Sequence, residues 1–458
     1  MPLNSAGIAF YLTMEHHSSF GLLLALLSSA HSFQLHQALL VQPAPHLLRC
    51  KSSCSAAAEF LAFRFGCTEA EAIQYEAKLL PNMKLMNHAR AVLLCNSLQE
   101  RLSLSESQLR KIVVSHPQVL GYSFESNVAF TLSRLQKRLA LSEAQLQKLV
   151  MMTPQVMGYS FDSNIEPSLA KLQKRLGLGE AQLQKLVVRV PSVLSLSFES
   201  NIEPSLAKLQ SRLMLSEAQL KKIVVGSPQV VGYSFESNIE PSLAKLQKRL
   251  ALDEVELQKL VVRLPQVMGL RFESNLEPSL AKLKSRLVLS EAQLKKVVIA
   301  SPQVLGLSFE SNIEPSLAKL QLRLALNEEE LRKVVVTLPQ VLSLRFESNL
   351  EPTLAKLQSR LALSEVQLRK VVVSLPAVLG YNFESNIKPK LDFLERELAL
   401  EPGILRERVL RMPALLGYSQ ERRYQPRLEL CRAVGADPIA VLNRITLSDA
   451  RFNASIGL

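Results

Sequence analysis

From about residue 102 to residue 449, the chain repeats one pattern of apolar and polar positions every 37 residues. Within one unit, Leu220, Ile223 and Val224 are spaced as one face of a helix. A second apolar face follows over residues 239–250, with intervals of four, three and four. The pattern therefore predicts two amphipathic helices in each unit. A single helix pair cannot bury these faces alone, so we expect an all-α solenoid of stacked units, of either hand.

Prolines and caps mark where the predicted helices begin and end. Ser216 and Gln219 have capping-box spacing at the start of the first helix, and Pro228 ends it. The segment 228–232 predicts a short third turn, and Pro241 lies near the first position of the second helix. The first proline series consists of Pro117, Pro154, Pro191, Pro228, Pro265, Pro302, Pro339, Pro376 and Pro413.

The chain outside the repeats predicts three further segments. Residues 1–55 resemble a cleavable organelle-targeting leader, signal-like over 1–32 and transit-like over 33–55, because a short apolar run precedes an acid-free, Ser- and Ala-rich stretch. Such a bipartite leader favours a plastid, with a mitochondrion as the alternative and a chance apolar patch as the third interpretation. Residues 56–101 predict a helical N-terminal cap before the array of about nine units at 102–449. Residues 450–458 form a C-terminal tail.

Composition favours a polyanionic partner and disfavours an enzyme. The chain has 54 Lys and Arg against 41 Asp and Glu, a net charge of +13, which is typical of proteins that bind nucleic acid. All seven His lie at or before His116, and none of the five Cys forms a CxxC pair. We therefore expect no catalytic site, no metal and no cofactor.

The basic residues recur in three columns, with one residue of each column in most units. The first-helix lysine column consists of Lys111, Lys148, Lys185, Lys222, Lys259, Lys296, Lys333 and Lys370. The second-helix lysine column consists of Lys171, Lys208, Lys245, Lys282, Lys319 and Lys356, with Arg134 in the first unit. The arginine column, four residues later, consists of Arg138, Arg175, Arg212, Arg249, Arg286, Arg323 and Arg360. Stacking would align these columns into a track for phosphates.

A simpler interpretation of the columns stays open. Glu199, Glu203 and Glu217 also recur in most units, near helix starts, whereas the bases lie toward helix ends. That arrangement complements helix dipoles on an ordinary solvated surface without any ligand.

Two further sets of residues bear on nucleic-acid binding: the arginines that break the repeat pattern and a column of Phe residues. Arginines that break the pattern are candidates for base selectivity, because arginine pairs bidentately with a guanine edge. They are Arg189, Arg263, Arg271, Arg345 and Arg411. The column of Phe residues, from Phe124 to Phe383, is predicted to be core rather than a base-stacking surface.

The form LSEAQLxKLVxxxPxVLGYSFESNIEPxLxxL, with an apolar residue three positions after the first-series proline, resembles the mitochondrial transcription termination factor (mTERF) family. Pro191 with Leu194 and Pro302 with Leu305 are examples, and the resemblance covers roughly Leu98 to Leu447. It implies a superhelical array of three-helix units with a basic concave surface for duplex DNA, in an organelle. Some members of that family act on organellar RNA.

Columns and resemblance together predict a non-catalytic, monomeric protein that binds double-stranded DNA and affects organellar transcription, by termination or by occupancy. The transcription machinery is a possible further partner, and no membrane is expected. Two alternatives remain: an RNA-binding factor in RNA processing or ribosome assembly, and a protein-binding scaffold. Because the columns are so uniform, we expect weak sequence selectivity.

Overall fold

The structure is a computed structural model that describes residues 56–68, 70–71, 74 and 88–458. The predicted leader, residues 1–55, lies outside the described residues. Two compact units divide the chain, one ending at Arg90 and the other spanning Ala91–Leu458. In the first unit the described helix is α1 (Ala56–Phe65). Helix α2 (His88–Leu102) begins at the boundary and continues into the second unit.

The second unit contains nine helix pairs, and no β-strand occurs among the described residues. The first helices of the pairs are α3 (Glu106–Ser115), α5 (Glu143–Met152), α7 (Glu180–Arg189), α9 (Glu217–Gly226), α11 (Glu254–Arg263), α13 (Glu291–Ala300), α15 (Glu328–Thr337), α17 (Glu365–Ser374) and α19 (Pro402–Arg411). The second helices are α4 (Ala129–Leu139), α6 (Glu166–Leu176), α8 (Glu203–Arg212), α10 (Glu240–Leu250), α12 (Glu277–Leu287), α14 (Glu314–Leu324), α16 (Glu351–Arg360), α18 (Lys388–Glu397) and α20 (Gln425–Ala433). The expected solenoid of 37-residue units is confirmed.

Local sequence explains where each helix starts. At α9 the Ser216 hydroxyl accepts from the Gln219 backbone N–H, and the Gln219 side chain accepts from the Ser216 N–H, which completes the predicted capping box. Pro228 then begins a 3₁₀ turn, Pro228–Gly232. The predicted short turn is therefore confirmed, and one such turn follows every first helix.

A π-helical turn between the 3₁₀ turn and the second helix was not predicted from the sequence. In the same unit it spans Phe235–Ile239, and the Ile239 N–H donates to the Ser234 carbonyl at 3.3 Å. The Ser234 hydroxyl accepts from the Ser237 N–H and so caps the turn. The second helix begins only after this turn, at Glu240.

The core consists of the predicted apolar faces. Leu220, Ile223 and Val224 are fully buried, and Leu243 and Leu246 are each 1% exposed. Burying one such side chain stabilises the fold by about 1.5–3 kcal/mol. The 3₁₀ turns of successive units contact one another along the whole array, and so do most neighbouring first helices. Several second helices also contact the first helix two units further on.

The C-terminal end of the array is closed by two short helices, α21 (Ala440–Asn443) and α22 (Asp449–Ser455). Arg427 is only 3% exposed and donates to the Leu447 carbonyl at 2.7 Å and to the Asp449 carboxylate at 2.8 Å. Phe452 is fully buried. The predicted tail from residue 450 therefore contains most of a helix that packs through its aromatic side chain.

Each second helix of the array is followed by a residue in the left-handed conformation, and this residue is glycine in only two units, at Gly177 and Gly435. Val288 holds φ = 48° there while its side chain is 68% exposed. The left-handed region costs an L-residue about 1–2 kcal/mol, and a β-branched one is the least suited to it.

We expect Val288→Gly to stabilise the protein by roughly 1 kcal/mol, because it removes this backbone strain and little packing. The shift in the midpoint of urea unfolding measures the effect. Gly177→Ala, at the equivalent position, should lower the midpoint. An unchanged or lower midpoint for Val288→Gly would contradict the argument.

Candidate nucleic-acid interface

The arginines of the arginine column, except the last, each hold three helices together. Arg175, in the last turn of α6, donates through Nε to both carboxylate oxygens of Glu203 at 3.0 and 2.9 Å. Its Nη1 donates to Glu217 at 2.6 Å, and its Nη2 donates to Gln210 at 2.6 Å. Glu203 begins the second helix of the next unit, and Glu217 begins the first helix of the unit after that. One guanidinium therefore links its own unit to the two that follow.

This arginine clamp recurs along the array with the same register. The pairs of carboxylates are Glu166 and Glu180 for Arg138, Glu240 and Glu254 for Arg212, Glu277 and Glu291 for Arg249, Glu314 and Glu328 for Arg286, and Glu351 and Glu365 for Arg323. At the C-terminal end Arg360 binds Asp392 and Glu395 instead. These guanidiniums are only 19–23% exposed. The arginine column is therefore committed to contacts within the chain.

The arginine clamp also lowers the pKa of glutamates that it binds. Hydrogen bonds from Gln210 and then from Arg175 hold the pKa of the Glu217 carboxyl below its ordinary value. The same two kinds of donor lower the pKa of Glu180 and of Glu254. These carboxylates therefore stay ionised and paired at neutral pH.

The second-helix lysine column is also ion-paired, but near the solvent. Each lysine contacts the glutamate that follows the Phe of the next unit's π-helical turn, and Lys356 lies 2.6 Å from Glu384. The other pairs are Lys171 with Glu199, Lys208 with Glu236, Lys245 with Glu273, Lys282 with Glu310 and Lys319 with Glu347, and Arg134 contacts Asp162 in the same way. The six lysine side chains are 48–53% exposed and their glutamates are 59–70% exposed.

The first-helix lysine column differs from both. All eight lysines are exposed, and none forms an ion pair with any residue in the described part of the chain. They project from the solvent-exposed side of the first helices, here called the outer face, because the opposite side carries buried residues such as Leu220, Ile223 and Val224. The glutamates at helix starts bind the arginine column, and those of the π-helical turns bind the second-helix lysine column. The first-helix lysine column is therefore the regularly repeated set of bases without an ion pair in the described chain, beside scattered bases such as Lys137, Lys174 and Lys248.

The irregular arginines fall into two groups. Arg189, Arg263 and Arg411 stand four residues after the lysine position of their first helix, so they share its outer face. Arg263 also donates to the Ile299 carbonyl of the next unit at 3.0 Å. Arg271 and Arg345 are exposed and precede the π-helical turn, where most other units have a capping serine. The structure thus places three of the five beside the first-helix lysine column.

The Phe column and the neighbouring tyrosines are partly buried and partly at the surface. Phe161 and Phe383 are buried, whereas the other Phe residues of the column are half-buried, so the predicted core role holds only in part. Tyr233 packs over the next unit's Gly269, where a Cβ would come within 2.8 Å of its hydroxyl. Lys356 lies 6.0 Å from the centre of the Phe383 ring.

Grooves between adjacent units lie next to the exposed lysine–glutamate pairs. Three of them have volumes of about 310, 330 and 270 Å³ and contain the pairs of Lys171, Lys208 and Lys356 respectively. Each groove is lined by the start of one second helix and by the 3₁₀ and π-helical turns of the next unit. One tyrosine lines each of these grooves: Tyr159, Tyr233 and Tyr381.

Other kinds of site are not found in the described part of the chain. No group of three His, Cys, Asp or Glu side chains there could hold a metal ion. No described helix is long and apolar enough to cross a bilayer. The most deeply placed lysine, Lys390, donates to the Leu416 carbonyl at 2.6 Å, and burial lowers its pKa to about 8.

Fold and surface charge together define a helical repeat protein with a basic outer face on its first helices. The mTERF family model matches residues 35–175, 81–255, 135–286 and 250–453, and the chain belongs to this family. Membership indicates an organellar nucleic-acid-binding regulator, since mTERF proteins are generally non-catalytic repeat proteins that bind nucleic acid. A search of curated proteins finds no matching relative.

The arginine clamp and the lysine pair on the same helix should differ in their contribution to stability. Arg212→Met leaves Glu240 and Glu254 without their main partner, and we expect a loss of about 1–3 kcal/mol in the free energy of unfolding. The control Lys208→Met removes the same charge one helical turn earlier, from an exposed pair, and should cost less than about 1 kcal/mol. Chemical denaturation monitored by circular dichroism measures both. Equal losses would contradict the distinction.

The array should lose stability in acid. Carboxyls such as Glu217 have a lower pKa in the folded state than the value of about 4.3 in the unfolded chain. Their contribution is therefore complete above that value and is lost as pH falls through the folded-state pKa. We expect the denaturation midpoint to decline as pH falls from about 4.5 toward 3. A midpoint that stays constant over that range would show that the glutamates contribute nothing.

Proposed function

We propose that this protein binds double-stranded DNA in an organelle and regulates transcription there, by termination or by occupying the template, without catalysis. The observation that carries the proposal is the first-helix lysine column. Its eight side chains recur in the first eight of the nine units, are exposed and form no ion pair in the described chain. A row of unpaired ammonium groups on rigid helices fits a row of backbone phosphates.

The binding mechanism follows from the charge distribution. Lysines of the first-helix column neutralise phosphates and release the cations condensed on the DNA, which drives association. The arginine and second-helix lysine columns contribute less, since carboxylates of following units already neutralise them. A bound array of stacked units, acting as a monomer, then obstructs or positions a polymerase on the template.

Sequence selectivity, in this proposal, depends on the irregular arginines. Arg189 and Arg411 share the outer face with the lysine position and have no described hydrogen-bond partner, so each is available to a guanine edge. Arg263 stands on the same face but also donates to carbonyls of α13. Arg271 and Arg345 stand beside the π-helical turns and contribute only where the nucleic acid reaches that side. Because few residues of this uniform array can contact base edges, we expect weak sequence selectivity.

Single-stranded RNA is the second candidate ligand. The grooves that contain Tyr159, Tyr233 and Tyr381 offer one aromatic ring each to an unstacked base. We favour duplex DNA because the unpaired lysines of the first-helix column, which would bind the phosphates, do not line these grooves. A protein-binding scaffold would show neither kind of binding.

Localisation is the second part of the proposal. Import into a plastid through the bipartite leader at residues 1–55 is favoured, and import into a mitochondrion is the alternative. A fluorescent protein fused after residue 55 reports the destination in an alga with a complex plastid. Diffuse cytosolic fluorescence would contradict an organellar address.

The salt dependence of binding tests the proposed ligand. If about 6–10 phosphates are engaged, affinity of the chain from residue 56 for labelled duplex DNA should fall by about 10³–10⁵ between 50 and 200 mM salt. The triple variant Lys222→Gln/Lys259→Gln/Lys296→Gln should reduce the slope of log affinity against log salt by about 3. Fluorescence anisotropy measures the slope.

The matched control removes the same three charges from the second helices of three consecutive units. Lys208→Gln/Lys245→Gln/Lys282→Gln should leave the slope nearly unchanged, because those lysines are already paired. Equal loss in both variants would contradict the assignment to the first helices. Preference for single-stranded RNA would favour the second candidate, and no binding at low salt would favour a protein partner.

A further inference from the structure

The two basic columns on the second helices look alike in sequence but differ in how firmly they are held. Arg212 is 23% exposed and bound to two carboxylates, whereas Lys208, one turn earlier on the same helix, is 53% exposed and bound to one. Exposed ion pairs of this kind contribute little to stability. A lysine of the second-helix column can therefore exchange its carboxylate for another anion at small cost, and an arginine of the clamp cannot.

Each lysine–glutamate pair also stands where an anion could reach it. The ammonium groups of Lys171, Lys208 and Lys356 line open grooves between units, and the pairs repeat at the interval of the array. The Lys171 ammonium holds the pKa of the Glu199 carboxyl below its ordinary value, so the blocking carboxylate is ionised at neutral pH. The carboxylate lines the same groove as the ammonium group, so an anion that enters the groove would compete with it for the lysine.

We propose that the second-helix lysine column is a phosphate-binding surface which the chain itself blocks with the glutamates of the following units. The blocked surface confines nucleic acid to the first helices, so that only one face of the array engages the ligand. Neutralising the glutamates opens a second row of ammonium groups for the same phosphodiester backbone. This inference rests on the proposed function, since it concerns where the nucleic acid binds.

The chain supplies matched controls for removing a carboxylate. Glu125 and Glu421 occupy the same place in their units as Glu236 and Glu273, directly after the first residue of the π-helical turn. The residue 28 positions earlier is Ser97 for Glu125 and Phe393 for Glu421, rather than a lysine. Neither control glutamate forms an ion pair with any described residue. The controls therefore change the net charge equally without releasing an ammonium group.

The experiment measures binding of labelled duplex DNA by the chain from residue 56 across salt. Glu236→Gln/Glu273→Gln should raise affinity roughly tenfold at low salt and steepen the slope of log affinity against log salt by about 2. Glu125→Gln/Glu421→Gln should change affinity by less than about twofold and leave the slope unchanged, since no ammonium becomes available. Adding Lys208→Gln/Lys245→Gln to the first variant should abolish its gain.

Four results would overturn the proposal. An equal gain in both glutamate pairs would mean that net charge alone sets affinity. A gain that persists without Lys208 and Lys245 would place the new contacts elsewhere. Wild-type binding with no gain in Glu236→Gln/Glu273→Gln would reject the blocked surface while the proposed function stands. If no variant and no wild-type protein binds nucleic acid, both fail together.

Discussion

Each helix pair has apolar faces that only its neighbours can cover, and the rest of the structure depends on this constraint. Leu243 and Leu246 are buried because adjacent units lie against their helix, and a unit displaced along the stack would expose them. The arginine clamp fixes the displacement that is allowed, because Arg175 must meet Glu203 one unit on and Glu217 two units on. Apolar burial supplies most of the stability. The clamp sets the register, and nearest-neighbour stacking then propagates it along the array.

The clamp also explains which charges remain for a ligand. Glutamates at the helix starts are needed to bind arginines, and those after the Phe of the π-helical turn bind second-helix lysines. The arginine and second-helix lysine columns are thus neutralised by carboxylates within the stack. The first-helix lysine column has no such ion pair in the described chain, so it is the repeated row of charge that remains for a ligand. The proposed ligand surface therefore consists of side chains that take no part in the contacts between stacked units.

The 37-residue interval and proline positions allowed the helix pairs, the 3₁₀ turn and the buried faces to be predicted. The capping box at Ser216 could also be predicted, because its two residues are only three positions apart in the sequence. The π-helical turn was not predicted. Its hydrogen bond from the Ile239 N–H to the Ser234 carbonyl leaves no strong signal in the sequence apart from the capping serine. The three basic columns could be recognised in the sequence. Sequence alone could not show that Lys208 is ion-paired whereas Lys222 is not. Their difference depends on a glutamate 28 residues away, and only stacking brings that glutamate into contact.

Lysine reactivity in the wild-type chain distinguishes the two lysine columns without any substitution. Acetylation of the protein with and without duplex DNA, read by mass spectrometry, reports which ammonium groups the ligand covers. We expect duplex DNA to protect the first-helix lysine column from acetylation, with Lys222, Lys259 and Lys296 among the most strongly protected. Lys208 and Lys245 should stay as reactive as in the free protein. Protection of the second-helix lysines with unchanged reactivity on the first helices would contradict this expectation.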